Sequence, residues 1–262
     1  MSNYYNQIAH IYDATRPLPQ IVSEQIADCI LKIVAVTPET TFLEPGIGTG
    51  RTSLAIIRRG YSYTGIDISE EMMDQLRHKL AGVPHNLNLI QADASSLPFK
   101  NASFDVVLTT HVLHCLPDWL QGLAEIRRVL KPNGFYLACE NLLTPHQREF
   151  ENHFRAILAS YQPEIQPTQE KKLSAFKDGI AQVLSEQGVA VETFTAAQWQ
   201  VEQTVADLLN IYQSKAIALC WTIPHDVFDR VMQDFQAWCQ IHYKLEDILS
   251  SEATFDITVV RN

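Results

Sequence analysis

The residues best suited to chemistry are a carboxylate and three glycines in the run Glu44-Pro45-Gly46-Ile47-Gly48-Thr49-Gly50. Glycine lets the backbone approach a ligand where a Cβ would collide, and a glycine-rich turn between a strand and a helix is typical of dinucleotide-type sites. A nicotinamide fingerprint, Gly-x-Gly-x-x-Gly, is disfavoured because Arg51 occupies the position of its third glycine. A phosphate-binding loop is excluded because no Gly-Lys-Ser/Thr follows. A tight turn without a ligand is the remaining alternative.

Two further acidic residues stand at the ends of the next two predicted strands. Asp67 is positioned to accept hydrogen bonds from both hydroxyls of a ribose, and Ile68 and Met72 follow where an adenine would pack. Asp93 would accept from the adenine amino group while the backbone of Ala94 donates to the ring. Core packing of the two apolar residues and a helix cap at Asp93 are the alternatives. Together with the glycine run, these residues predict an adenosine-binding set.

Alternating strands and helices between residues 20 and 140 position these side chains. Apolar runs predict the strands, and apolar spacings of three and four residues predict the helices. Such alternation favours a parallel sheet covered on both faces. The predicted strands are 41–43, 63–66, 87–90, 106–108 and 135–138, and the predicted helices are 21–34, 53–59, 70–80 and 119–130, with Ser69 as an N-cap and residues 131–134 as a stop.

The second half of the chain has a different pattern. Residues 145–188 are mostly helical with a proline-interrupted loop at 161–167, and helices follow at 205–219 and 227–243. Strands predicted at 189–194 and 254–260 would complete the sheet. We therefore expect one domain over residues 1–262, in which 1–36 supply N-terminal cover helices, 37–144 the cofactor-binding core, and 145–262 cap helices with the last strands.

Composition limits the possible partners. The chain of 262 residues is long enough for a full core, but its net charge of −10 argues against binding nucleic acid. Five scattered cysteines show no metal-ligand spacing, and their odd number without a signal segment predicts a cytoplasmic protein. No apolar run approaches the ~18–20 residues of a membrane span. The sequence gives no indication of oligomeric state.

Five segments, 42–50, 65–69, 91–99, 104–113 and 125–134, resemble in order the successive motifs of class I S-adenosylmethionine-dependent methyltransferases. Within that superfamily they are most similar to the type 11 group, which includes ubiquinone/menaquinone-biosynthesis-like enzymes. The resemblance implies S-adenosylmethionine as cofactor and a Rossmann-like α/β sheet, mostly parallel with the last strand antiparallel, with helical cap insertions in the C-terminal half. Asn133 replaces a frequent family glycine, a small departure because asparagine tolerates left-handed angles.

The resemblance also implies roles for residues. Glu44 would lie near the cofactor's ammonium group, and the amides of Gly46, Gly48 and Gly50 would line the ribose and methionyl part. Asp67 would hold the ribose diol, Asp93 and Ala94 the adenine, and Thr110 with His111 would face the methyl group.

Residues 4–16 are similar to the family's N-terminal Tyr-Asp-x-x-Arg segment, which folds over the site in relatives. Tyr12 would then border the transferring methyl group, and Arg16 would pair with the methionyl carboxylate. An amphipathic helix with a solvated arginine is the alternative.

Catalysis by displacement mainly requires alignment of the acceptor, and a base only where the acceptor must lose a proton. His111 is the first candidate base, although a structural histidine is the alternative. His114 and Glu140 are candidate substrate contacts, and Glu140 and Asn141 are the next candidates for the base after His111. Four aromatic residues in the helical half, Trp199, Tyr212, Trp221 and Trp238, suit an apolar acceptor or plain core packing.

The acceptor is expected to be a small molecule. An Asp/Asn-Pro-Pro-aromatic run and a Pro-Cys nucleophile, typical of nucleic-acid methyltransferases, are both missing from the fourth-strand region. A protein that binds the cofactor without catalysis is a second hypothesis, and a nicotinamide-dependent oxidoreductase is a third.

Overall fold

The computed structural model describes residues 2–162, 182–184, 186 and 188–262. Its central feature is one seven-stranded sheet. The strands are β1 (Thr41–Pro45), β2 (Ser62–Asp67), β3 (Leu87–Gln91), β4 (Phe104–Thr110), β5 (Leu130–Asn141), β6 (Val191–Thr204) and β7 (Ile248–Arg261).

The order of the strands creates a crevice at one edge of the sheet. It is β3-β2-β1-β4-β5-β7-β6, with β1 to β5 parallel and β7 antiparallel to both of its neighbours. The predicted fold class is therefore confirmed. Because the chain turns in opposite directions from β1 and from β4, ligands of such sheets bind beyond the carboxyl ends of these two strands.

The described helices cover the sheet and form the cap. Ser69 caps α4 as predicted, accepting a hydrogen bond from the amide of Met72 at 3.2 Å. Asn133, at φ +63°, adopts the left-handed conformation in the stop before the main run of β5. The helices are α1 (Ser2–Ile8), α2 (Gln20–Ile33), α3 (Leu54–Arg58), α4 (Glu70–Lys79), α5 (Trp119–Val129), α6 (Pro145–Tyr161), α7 (Val205–Gln213) and α8 (His225–His242), with 3-10 turns at Ala9–Ile11, Leu113–Cys115 and Ala218–Cys220.

The two late strands are much longer than predicted. Both span 14 residues and pair along their length, so residues 195–204 belong to β6. The assignment of Trp199 to the helical cap is therefore wrong. A signal was present from residue 197 onward, because apolar Ala197, Trp199 and Val201 alternate with Gln198, Gln200 and Glu202 at the strand period of two. The predicted helix 205–219 ends early, at Gln213, and most of the predicted loop 161–167 lies outside the described residues.

Separate groups of apolar side chains hold the layers together. Phe42 and Leu43, adjacent in β1, point to opposite faces of the sheet and join different clusters. The cap has a cluster of its own, in which Phe150 and Phe154 of α6 pack with Tyr212 of α7 and Phe235 of α8. The long β6–β7 ribbon connects this cap to the sheet.

Three findings concern membranes, disulfides and metals. Within the described ranges, no helix is long and apolar enough to cross a bilayer. All five cysteines are free thiols. No cluster of three or more histidine, cysteine, aspartate or glutamate side chains suited to a metal occurs among the residues that the structure describes.

Candidate functional site

The glycine run forms a tight loop between β1 and α3. The amides of Gly46 and Ile47 donate to the carbonyl of Ile66 at 2.8 and 3.0 Å, which ties the loop to β2. Gly46 has φ +72°, and a Cβ there would lie 2.5 Å from Val112. Gly50, at φ +65°, instead faces Leu76, which a Cβ would meet at 2.6 Å. Both glycines therefore permit close packing of a neighbouring side chain, Val112 against Gly46 and Leu76 against Gly50.

Asp67 stands at the end of β2 with its carboxylate held by the backbone. Its Oδ2 accepts from the amide of Gly48 at 2.8 Å, and its Oδ1 accepts from the amide of Ser69 at 2.9 Å. Burial raises the pKa of this carboxyl, against the lowering effect of these bonds. Each oxygen keeps acceptor capacity for one more donor, so the group suits a pair of neighbouring hydroxyls.

A cavity of about 290 Å³, here called the loop cavity, lies beyond the carboxyl ends of β1, β2 and β4. Most of the residues predicted to bind a cofactor line it together. Arg16 and Gly50 are not among the described residues that do so. The predicted residues that line it are Tyr12, Glu44, Gly46, Gly48, Asp67, Ile68, Met72, Asp93, Ala94, Thr110 and His111.

Two polar groups of this cavity have distinctive environments. Glu44 is buried, and its Oε2 accepts from the Tyr63 hydroxyl at 2.8 Å. Burial raises the pKa of Glu44 to about 7. The Thr110 hydroxyl is buried with no hydrogen-bond partner in the described structure. A buried polar atom without a partner is costly, and a bound ligand would relieve that cost.

Asp93 lies at the outer rim of the loop cavity. It is exposed, and its Oδ1 accepts from the amide and hydroxyl of Ser95 at 2.8 and 2.7 Å. Ala94, beside it, is buried. The carboxylate thus organises its own turn while lining the cavity, and it caps no helix, because none begins in the described residues between β3 and β4.

His111, just beyond β4, is held by an asparagine and an arginine. Its Nε2 lies 3.1 Å from Asn141 Oδ1, which also accepts from the Arg51 guanidinium at 3.0 Å. The residue has φ +55°, a left-handed conformation that costs free energy in a non-glycine residue. Burial, with a further contribution from the positive charge of Arg51, lowers the pKa of His111 to about 4. The imidazole is therefore neutral at physiological pH.

A second cavity of about 290 Å³, here called the cap cavity, lies between the N-terminal segment, the cap helices and β6. Tyr5, Tyr12, Arg51 and His111 line both cavities. His111 thus stands at the junction of the loop cavity and the cap cavity.

The cap cavity collects several residues predicted as substrate contacts. Trp199, Tyr212, Trp221 and His114 line it. Trp238 does not belong to this group, because it stacks on His153 at 4.0 Å between ring centroids within the cap.

Glu140 is not among the described lining residues of either cavity. It lies on β5 opposite Asp256 of β7.

Arg16 also faces the cap cavity. Its guanidinium donates to the carbonyl of Ala216 at 2.5 Å and to the Thr15 hydroxyl at 2.9 Å, and lies 4.2 Å from the centroid of the Tyr12 ring. The arginine that lines the loop cavity is Arg51.

Sequence reasoning missed two residues of the site. Arg51 served only to exclude a nicotinamide loop, yet it reaches both cavities. Asp13 accepts from the Thr49 hydroxyl at 2.6 Å and pairs with Lys79, which joins the N-terminal segment to the glycine loop. Its position inside the Tyr-Asp-x-x-Arg segment is the signal that could have identified it.

Comparisons with known proteins relate the sequence to methyltransferases. The family model described as a methyltransferase domain matches residues 43–138. The demethylmenaquinone methyltransferase of Clavibacter sepedonicus is 30% identical over 164 residues, which cover 61% of this chain and 66% of that protein. A phthiotriol/phenolphthiotriol dimycocerosates methyltransferase of Mycobacterium ulcerans is 40% identical over 94 residues, covering 35% of this chain and 33% of that protein. The chain thus matches less than two thirds of the length of these relatives.

A solved structure shares the fold at lower identity. The YcgJ protein from Bacillus subtilis superposes with a TM-score of 0.57 over 90% of this chain and 97% of that one, at 19% identity. At that identity the likeness concerns the fold alone.

Proposed function

Because the chain belongs to the class I S-adenosylmethionine-dependent methyltransferases, in their type 11 group, we propose that it transfers a methyl group from S-adenosylmethionine to a small-molecule acceptor. The observation that carries the proposal is the junction at His111, where the loop cavity meets the cap cavity. Donor and acceptor in these two cavities would meet at one point away from bulk water, as an in-line displacement requires.

The residues of the loop cavity fit the adenosine part of this cofactor. Asp67 would accept from both ribose hydroxyls, and the adenine would lie between Ile68 and Met72 with its edge toward Asp93 and Ala94. Gly46 and Gly48 let this loop pack closely on two side chains, since a Cβ would lie 2.5 Å from Val112 and 3.1 Å from Met72. The amides of both glycines already have acceptors within the protein, so the loop contributes close approach rather than free donors.

The methionyl part would meet two charged groups. Glu44 would bind the ammonium group, and Arg51, which lines the loop cavity, would bind the carboxylate. The unpartnered Thr110 hydroxyl would face the sulfur end. We assign the carboxylate to Arg51 instead of Arg16 because only the former lines this cavity among the described residues.

The bound cofactor supplies an electrophilic methyl group on a sulfonium, and the protein aligns the acceptor with it. His111 would act as a general base for acceptors that carry a proton on the reacting atom. His111 Nε2 lies 3.1 Å from Asn141 Oδ1 and accepts from the amide N–H of Asn141 at 3.3 Å in one tautomer. In the tautomer that carries Nε2–H, Asn141 Oδ1, which also accepts from Arg51, would accept that hydrogen and leave Nδ1 free to take the acceptor's proton. Tyr12 would border the reacting atoms, and His114 would contact the acceptor. No role is proposed for Glu140.

Calorimetry with S-adenosylhomocysteine tests the cofactor assignment. Asp67→Ala should weaken binding by about tenfold or more, because a charge-assisted hydrogen bond contributes ~1.5–3 kcal/mol. Asp229→Ala, which removes an exposed aspartate of α8, should leave the affinity unchanged. Equal affinity of wild type and Asp67→Ala would contradict the ribose assignment.

Two other outcomes would replace the proposal. Tight binding of NAD with none of S-adenosylmethionine would indicate an oxidoreductase. Binding of S-adenosylmethionine without release of S-adenosylhomocysteine, whatever small acceptors are offered, would indicate a protein that binds the cofactor without catalysis.

A further inference from the structure

The charges that line the cap cavity do not balance. Among the residues that the structure describes, two arginines face it, Arg16 and Arg51, against one carboxylate, that of Glu151. Glu151 is already bound by Arg155, whose Nε and NH2 donate to its Oε1 at 2.9 and 2.6 Å. Burial lowers the pKa of His114, as it does that of His111, so both histidines of this wall are neutral at physiological pH. The cavity therefore carries excess positive charge.

Arg16 has unused hydrogen-bonding capacity in this cavity. A guanidinium carries five N–H donors, and Arg16 spends one on a carbonyl and one on a hydroxyl. No carboxylate of the described residues lies within ion-pair distance of it. A partly buried cation without a counter-ion is unfavourable, and a planar carboxylate would fit its remaining donors.

The rest of the wall combines polar side chains, among them Thr15, Thr144 and Gln147, with aromatic and aliphatic ones. Trp199, Tyr212 and Trp221 provide flat surfaces, and Leu208 and Ile211 of α7 provide aliphatic ones. Aromatic and aliphatic surfaces of this kind stabilise the apolar part of a ligand. The Arg16 guanidinium is held at this wall by its hydrogen bond to the Ala216 carbonyl and its cation–π contact with the Tyr12 ring.

We propose that the methyl acceptor is an apolar or aromatic carboxylate whose anionic group binds Arg16, with its body against the aromatic wall of the cap cavity. This inference rests on the proposed function, since it names the substrate class of the same site. It also gives the two arginines different roles, because Arg51 binds the donor and Arg16 binds the acceptor.

Calorimetry with matched neutral and anionic probes tests the proposal. With S-adenosylhomocysteine saturating, indole-3-acetate and 3-phenylpropionate are compared with their primary amides, which have the same shape but no charge. Wild type should bind at least one carboxylate about tenfold more tightly than its amide. Arg16→Gln should abolish that preference while leaving the affinity for S-adenosylhomocysteine within about twofold, and Arg16→Lys should keep part of it. Arg148→Gln, which removes an exposed arginine from α6, should keep all of it.

Several results would overturn the proposal. Wild type that shows no carboxylate preference with either probe, or Arg16→Gln that retains it, would exclude an anion site at Arg16. A loss of S-adenosylhomocysteine affinity of about tenfold in Arg16→Gln would assign this arginine to the methionyl carboxylate. If wild type does not bind S-adenosylhomocysteine at all, the proposed function itself fails, which distinguishes the two failures.

Discussion

Glu44 shows how burial prepares a single residue for a cation. Its carboxylate has lost its water and kept one donor, the Tyr63 hydroxyl, so the pKa rises to about 7. An ammonium group beside it would stabilise the charged form and lower that pKa again. Ligand binding and ionisation of Glu44 are therefore linked.

This linkage predicts a pH dependence of S-adenosylhomocysteine binding. Only the ionised carboxylate attracts the ammonium group, so affinity should rise by about tenfold between about pH 6 and about pH 8, then level off. Calorimetry in buffers of different ionisation enthalpy should detect proton release on binding in that range. In Glu44→Gln the affinity for S-adenosylhomocysteine should be lower, and the rise of affinity with pH that comes from ionisation of Glu44 should disappear. The same slope in both proteins would show that another group, such as Asp67, is responsible.

The sequence predicts single residues well where backbone position alone brings them together. Asp67 and Asp93 end neighbouring parallel strands, so their meeting at one cavity follows from the topology. Arg16 and Arg51 are different, because their roles depend on how the N-terminal segment and the cap fold over the sheet. The segments that pack around these two arginines are far apart in the sequence. No periodic pattern of residues therefore indicates where the two side chains point.

At the scale of elements, the cap is built around aromatic packing that is separate from the sheet. Phe235 of α8 contacts Phe150, Phe154 and Tyr212 edge-on and stacks on Trp238 at 5.7 Å between centroids. The ring is fully buried. Its cluster includes α6, α7 and α8, whereas the helices of the N-terminal half pack on the sheet.

Phe235→Ala should therefore destabilise the cap before the sheet. Replacing a buried phenylalanine by alanine lowers the free energy of unfolding by about 3–5 kcal/mol. Because the contacts that are lost all lie in the cap cluster, the cap should be destabilised most. Hydrogen exchange followed by mass spectrometry should show lost protection in residues 145–161 and 205–242, with 41–67 largely retained. Phe194→Ala, at an exposed position of β6, is the matched control and should change little. Equal loss in cap and sheet would mean that they unfold as one unit.

The sequence predicts the strands that are continuous apolar runs. It does not predict the full length of β6, because part of that strand lies outside the hydrophobic core and carries polar residues. β1 to β4 are short apolar runs and were found. β6 carries glutamine and glutamate along one face of residues 198–203, so its polar content disguised a strand of 14 residues. β6 obtains its backbone hydrogen bonds by pairing with β7, which lies far from it along the chain. Local residue propensities cannot reveal such a pairing.

At the scale of the whole molecule, charge separates the surface from the cavity. The chain carries 30 acidic and 20 basic residues, and two of its arginines line the enclosed cap cavity. A surface with this balance repels polyanions, whereas a small carboxylate that enters the cavity meets excess positive charge. A nucleic acid is too large to follow it there.

We therefore predict that the protein does not bind nucleic acid, although it recognises an adenosine-containing ligand. Affinity for DNA or RNA comes mainly from phosphate neutralisation, which needs several exposed lysines and arginines on one face. Fluorescence anisotropy with a labelled DNA duplex and a labelled single-stranded RNA at about 50 mM salt, where such contacts are strongest, should give no saturable curve. Excess S-adenosylhomocysteine should change nothing, because the site proposed in the loop cavity is for a single nucleoside. Saturable binding whose affinity falls steeply with added salt would contradict this prediction. A nucleic acid would then become a candidate methyl acceptor.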